Sequence, residues 1–153
     1  MFELNTKAAF SLRRIVKDIR ELQELKELNN DHIYNLLDNT VILNYDNKRV
    51  IVQIDNYPFL PPIIHINNNP LIYNSNIFPS RLWKRYIKLY PNNCMCCKTI
   101  LCRYNWSPCL KLKHILNEYN IFTQKLKLIA NILMFERVNL PYDIIYEITS
   151  YLI

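Results

Sequence analysis

Along residues 7–28 apolar side chains recur every three or four positions: Leu12, Ile15, Ile19, Leu22 and Leu25 stand opposite Arg13, Arg14, Lys17, Asp18, Glu21 and Glu24. That period predicts an amphipathic helix with its charged face in water, and Thr6 is placed to cap its start. At Asn29-Asn30-Asp31 the period changes. "HIYNLLDN", "TVILNYD" and "RVIVQID" are short extended runs separated by Asp38-Asn39 and Asp46-Asn47-Lys48, which is the turn chemistry of an antiparallel meander. "NYPFLPP" cannot be a central strand because its prolines lack ladder donors, and "IIHI" after it is predicted as an edge strand.

Residues 67–93 read as irregular around the basic, aromatic piece "PSRLWKRYIKLYPNN". Taken as a helix, that piece would bury Leu82, Tyr86 and Leu89 and turn its charges to water. Three further helices are predicted. One starts at Ser107-Pro108, a cap residue before a first-turn proline, and buries Leu112, Ile115, Leu116 and Tyr119. A second starts near Thr123 with Leu126, Ile129, Ile132 and Leu133, and a third at Leu140-Pro141 with Ile144, Ile145, Ile148, Tyr151 and Leu152. Helix, antiparallel strands, irregular segment and helices in that order predict one α+β domain over residues 1–153.

Composition narrows the function classes. The 153 residues are 50% hydrophobic and 21% charged, which suits a folded core rather than disorder. There is no glycine, so dinucleotide fingerprints and P-loops, which need glycine where backbone meets phosphate, are excluded. Asparagine is left to fill left-handed turn positions, and the richness in Asn, Ile, Lys and Tyr fits an AT-rich genome such as a virus or parasite carries. The formal charge of +6 speaks to solubility and encounter with acidic partners. No apolar run approaches a membrane span and "MFELNTKAAF" lacks a signal-peptide core, so the expected location is intracellular, in cytoplasm or nucleus, where thiols stay reduced.

Five cysteines crowd into "CMCCKTILCRYNWSPCL", residues 94–110, an odd number that makes a poor disulfide framework. They could be a metal knot, a reactive thiol with inert neighbours, or small apolar residues in a core. Cys94, Cys96, Cys97 and Cys102 supply four thiolates for zinc but lack paired knuckles separated by a long loop, and His65 and His114 read better as polar or capping residues. Cys102 and Cys109 are expected to pack in the core.

The helix "LRRIVKDIRELQEL", the meander, Tyr57-Pro58-Phe59-Leu60-Pro61-Pro62, and a cysteine before "TIL" followed by Trp106-Ser107-Pro108 come in that order. Over residues 7–120 this arrangement resembles the ubiquitin-conjugating enzymes, whose marks include Tyr-Pro-Phe-x-Pro-Pro and Cys-Leu-x-x-Leu before Trp-Ser-Pro-Ala. The resemblance implies a fold of that type, with an active-site loop between the meander and the C-terminal helices. It places Cys97 as the catalytic thiol and Asn92, in Tyr90-Pro91-Asn92 where the family has His-Pro-Asn, as the donor to the oxyanion. Trp106, Ser107 and Pro108 would hold the cysteine loop against a helix. The family also often keeps an acidic residue beyond that helix, for which Glu118 is the candidate. The implied partners are ubiquitin or a related modifier, its activating enzyme and a ubiquitin ligase, and the chemistry requires no cofactor and no metal.

Two features point to a second reading, a catalytically inactive variant of the fold serving as a protein-interaction module in a larger assembly. Asn92 lies closer to Cys97 than the family places it, and the intervening glycine is missing. "LPYDIIYEITSYLI", residues 140–153, also resembles the first helix of an F-box, which implies docking to a ligase adaptor. Arg81, Trp83, Lys84 and Arg85 could meet a protein partner, and less readily single-stranded nucleic acid, through charges beside a stackable ring.

Overall fold

The computed structural model describes residues 6–25, 32–35, 38–73, 79–90, 95–135, 141, 143–144 and 147. They fall into two compact units, Met1–Ile72 with Thr99–Ile115, and Tyr73–Lys98 with Leu116–Ile153. The class is α+β, as the patterning predicts: an N-terminal helix, a five-stranded antiparallel sheet and C-terminal helix.

In the first unit helix α1 spans Thr6–Glu24, so Thr6 is its first residue rather than a cap outside it. Ser11, Ile15, Asp18, Ile19 and Leu22 are buried, whereas Leu25 is exposed and Leu12 half-buried. The inward stripe is therefore rotated from the one hydrophobicity alone predicts, and it carries a carboxylate.

Strands β1 (His32–Asn35), β2 (Thr40–Tyr45), β3 (Lys48–Gln53), β4 (Ile63–Ile66) and β5 (Asn69–Pro70) pair in sequence order. The register sets Val41 against Val52 and Ile64, and Leu43 against Val50 and Ile66, and all six are buried on one face. "IIHI" is not the edge, because β5 pairs beyond it through a two-residue turn. That turn, Asn67-Asn68, and the β2–β3 turn, Asp46-Asn47, have positive φ at both central residues. This is the type I′ geometry matching strand twist, and here asparagine and aspartate meet it without glycine.

The central node of this unit is Asp18, 2% exposed. Its Oδ2 accepts the Tyr57 hydroxyl and the Leu112 N–H (3.0 Å), and Arg14 Nε lies 3.2 Å from Oδ1 in an ion pair of off-line geometry. Arg14 Nη2 also donates to the Leu110 carbonyl at 3.2 Å. One buried carboxylate thus joins α1, the proline-rich turn and the start of α4 (Leu112–Phe135).

This corrects the predicted helix start. Ser107 closes a turn of its own, with Leu110 N–H donating to its carbonyl (2.9 Å) and Cys109 N–H to its Oγ (3.3 Å). The helix begins at Leu112, where Asp18 satisfies an N-terminal N–H and opposes the helix dipole. His114 Nδ1 accepts the Lys111 N–H at 2.9 Å, the reciprocal bond of a capping box, so this histidine is a capping residue. From there the helix is continuous through Thr123, where a separate helix is predicted, since Thr123 Oγ1 donates back to the Asn120 carbonyl (3.0 Å) instead of capping a new start.

The second unit has an aromatic core. Phe122 meets Tyr73 (4.9 Å between centroids), Tyr86 (5.2 Å) and Trp83 (6.3 Å), each near edge-on, the orientation that ring quadrupoles favour. Trp83 and Tyr86 come from α2 (Ser80–Leu89), in the stretch predicted as irregular or helical. The buried side of that helix is Trp83 and Tyr86; Leu89 is exposed and Leu82 half-buried. Most of residues 140–153, the predicted third helix and F-box-like tail, lies outside the described residues. No helix among the described residues is long and apolar enough to cross a membrane.

Removing the Asp18 carboxylate leaves Arg14, Tyr57 and the Leu112 N–H without their acceptor. Asp18→Ala should lower unfolding free energy in urea by about 3 kcal/mol, the low end for a broken buried pair since Arg14 keeps some solvent. A loss under about 1 kcal/mol would show that Asp18 is not the tie described. Glu21 gives a pH test. Hydrogen bonds from Lys111 (2.6 Å) and then Lys113 hold its carboxyl down from 4.5 to about 2. A folded-state value below the unfolded one stabilises above about pH 4.5 and fades as pH falls toward 2. Glu21→Gln should therefore lower Tm at pH 7 and make little difference near pH 2; an equal deficit at both would contradict the assignment.

Candidate active site

The segment of interest begins with α3, the short helix Met95–Lys98. Cys97 and Lys98 are exposed at its end and Thr99 is buried. Cys97 is thus exposed as a residue and not part of a disulfide. That accessibility is what a thiol needs to meet a macromolecular acyl donor. By the division into units, Cys97 and Lys98 close a stretch of the second, and Thr99 begins the return to the first.

From Thr99 to Leu110 the chain makes consecutive turns. Thr99 Oγ1 accepts the Leu101 N–H (3.1 Å), and its carbonyl accepts the Cys102 N–H (3.0 Å) and the Asn105 side-chain amide (3.0 Å). The Cys102 carbonyl then takes the N–H groups of Asn105 (2.9 Å) and Trp106 (3.0 Å). Thr and Asn dominate because their short polar side chains close turns on the backbone, which suits a chain without glycine.

Trp106 is the anchor of these turns. Its indole N–H donates to the Pro58 carbonyl at 2.6 Å, and its ring lies 6.0 Å from that of Tyr57. The two short motifs singled out in the sequence are therefore in direct contact within the first unit. Tyr57 itself is buried, and burial followed by its bond to Asp18 pushes its phenol well above the ordinary range, so it serves as a fixed donor. Ser107 is half-buried at the turn described above, and Pro108 is exposed. On the same unit Phe59 and Phe10, both exposed, stack with centroids 5.7 Å apart.

Tyr90 ends α2 with its N–H on the Tyr86 carbonyl (2.9 Å), and Lys125 Nζ stands 5.0 Å from its ring centroid, a cation–π contact. Pro91 and Asn92 lie outside the described residues, as does Cys94, and Cys96 is described by its backbone alone. Arg81 and Lys84 are on the surface and Arg85 is half-buried, while Trp83 belongs to the aromatic core instead of offering a ring for stacking. Cys109 is exposed and Cys102 half-buried, so neither packs in the core as expected: both lie in the turn series, where Cys109 N–H donates to Ser107 Oγ at the surface and the Cys102 N–H to the Thr99 carbonyl.

Among the described residues, no three His, Cys, Asp or Glu side chains converge as metal ligands would. An open pocket of about 260 Å³ in the first unit is lined by Gln53, Asp55, Leu60, Pro61, Ile63 and Arg103, and Trp106 of the same unit does not line it. Residues that sequence reasoning missed are Asp18, whose place on a charged helix face gave no sign of burial, and Arg103 beside this pocket.

Compared with known proteins, the chain matches no family model, no curated sequence and no solved structure.

Trp106→Phe keeps the ring and removes the donor. Leaving the Pro58 carbonyl unpaired should cost about 1–2 kcal/mol in urea unfolding. A Tm equal to that of the unaltered protein would show that the indole bond does not hold the turns.

Proposed function

We propose that this protein carries ubiquitin or a related modifier as a thioester on Cys97 and passes it to a lysine. The observation that supports the reading is the exposure of Cys97, the residue that the motif order in the sequence singles out. In the charging step the Cys97 thiolate attacks the acyl carbon of the modifier's thioester on its activating enzyme. A new C–S bond forms and the activating enzyme's thiolate leaves. In discharge a lysine amine attacks that carbon, the Cys97 thiolate departs, and the amine's proton goes to solvent. Asn92 would donate its side-chain N–H to the oxyanion of the second step. A ligase would hold the acceptor in reach, which supplies much of the barrier reduction that transfer needs.

The inactive-module reading is favoured by one specific observation, the short Asn92–Cys97 spacing without a glycine between. Incubation with activating enzyme, ATP and ubiquitin separates the two. The carrier reading expects an adduct that reductant cleaves and that Cys97→Ala abolishes. Asn92→Ala should leave charging intact and slow discharge to lysine by about 10²–10³. No adduct, or one that persists in Cys97→Ala, supports the module instead.

A further inference from the structure

The open pocket of about 260 Å³ in the first unit is built on backbone that hydrogen bonds hold in place. Gln53 and Ile63 are directly paired across β3 and β4, so both lie on one face of the sheet. After β3 the chain is pinned by Ile54 N–H on the Asn39 carbonyl (2.9 Å), Tyr57 N–H on the Ile54 carbonyl (3.2 Å) and Leu60 N–H on the Asn56 carbonyl (3.0 Å). This stretch lends Asp55, Asn56, Leu60 and Pro61 to the lining. Arg103 comes from the turn series, which the Trp106 bond to the Pro58 carbonyl ties to the same proline-rich turn. A site formed in advance spends little entropy on ordering when a ligand enters.

The two charges of the pocket do not neutralise each other. Asp55 and Arg103 are both exposed, and neither forms an ion pair among the described residues. Asp55 is oriented by one bond, in which its Oδ1 accepts the Asn39 side-chain amide at 3.1 Å, and its Oδ2 has no partner among the described residues. A ligand with only an anion would be drawn by Arg103 and repelled by Asp55, and a cation the reverse. One that carries both signs satisfies both side chains at once. Leu60, Pro61 and Ile63 add apolar surface, and Ile63 is 55% exposed.

The lining disfavours other ligand classes. A divalent cation gathers several oxygen ligands, whereas here a guanidinium shares the pocket with a single carboxylate. A nucleotide asks for further basic side chains on its phosphates and a ring against its base, and the lining has neither. Size narrows the choice further. A cavity of about 150 Å³ holds benzene and drug-sized ligands take about 300–1,000 Å³, so 260 Å³ suits one or two amino-acid residues.

We propose that this pocket binds an apolar α-amino acid, free or as a dipeptide, with its carboxylate on Arg103, its ammonium on Asp55 and its side chain against Leu60, Pro61 and Ile63. Gln53 and Asn56 supply neutral amides for the ligand's remaining polar groups. The site does not depend on the thioester reading.

Calorimetric titration of the full chain with leucine and with the dipeptide Leu-Leu tests the site, and the tighter of the two identifies the source. That ligand should bind with a Kd of about 1 mM or below. Acetylating its amine or amidating its carboxylate should each weaken binding about tenfold or more, because a charge-assisted contact is lost. Arg103→Gln should erase the difference between the free and the amidated ligand, and Asp55→Asn that between the free and the acetylated one. The blocked ligands decide alone if a substitution disturbs the turns. No binding up to about 10 mM, equal binding of free and blocked ligands, or an affinity that both substitutions leave unchanged would overturn the proposal.

Discussion

A carboxylate taken out of water is costly unless donors replace its hydration, and Asp18 is almost wholly buried. The fold supplies those donors from one turn away, Arg14 on the same helix, and from two places distant in sequence, the Tyr57 hydroxyl and the Leu112 N–H at the start of α4. Each partner is itself constrained by the bond. Tyr57 fixes the turn that follows β3, the Leu112 N–H fixes where α4 begins, and Arg14 reaches on to the Leu110 carbonyl. Hydrophobic packing would hold these elements near one another, but it is non-directional. The buried charge selects one arrangement, because any other leaves it unpaired.

The arrangement continues within the first unit. Pro58, next to Tyr57, accepts the Trp106 indole N–H, and the turns from Thr99 to Leu110 are built around that tryptophan and the Thr99 and Cys102 carbonyls. A chain without glycine cannot shape a loop by backbone freedom, so it uses side-chain hydrogen bonds from Thr99, Asn105 and Ser107. Residues 99–110 are thus held by specific bonds, and Cys97 stands exposed two positions before them.

The meander was legible because its signals are local: alternation in Val50–Ile54, and Asp46-Asn47 as a two-residue turn with positive φ. Helix α1 was legible by period, yet its buried face was misjudged, since Asp18 is indistinguishable from its charged neighbours until Tyr57 and Leu112 arrive from afar. The start of α4 failed for the same reason. Ser107-Pro108 has the form of a helix start, but the helix is capped by Asp18, ninety-four positions away from Leu112. Trp83 was misread because a basic, aromatic decapeptide fits both a stacking surface and an amphipathic helix, and only Phe122 decides between them. In the candidate site, Cys97 and Trp106 stood out through motif order. The exposure of Cys109 did not, because cysteine is compatible with either environment.

Of the five cysteines, Cys97 is the proposed acyl carrier. Peptide-level alkylation before and after incubation with ATP, activating enzyme and ubiquitin is the decisive measurement. Cys97 should alkylate readily in the native protein and should alone become protected on charging. Protection at another cysteine, or at none, would rule the carrier role of Cys97 out.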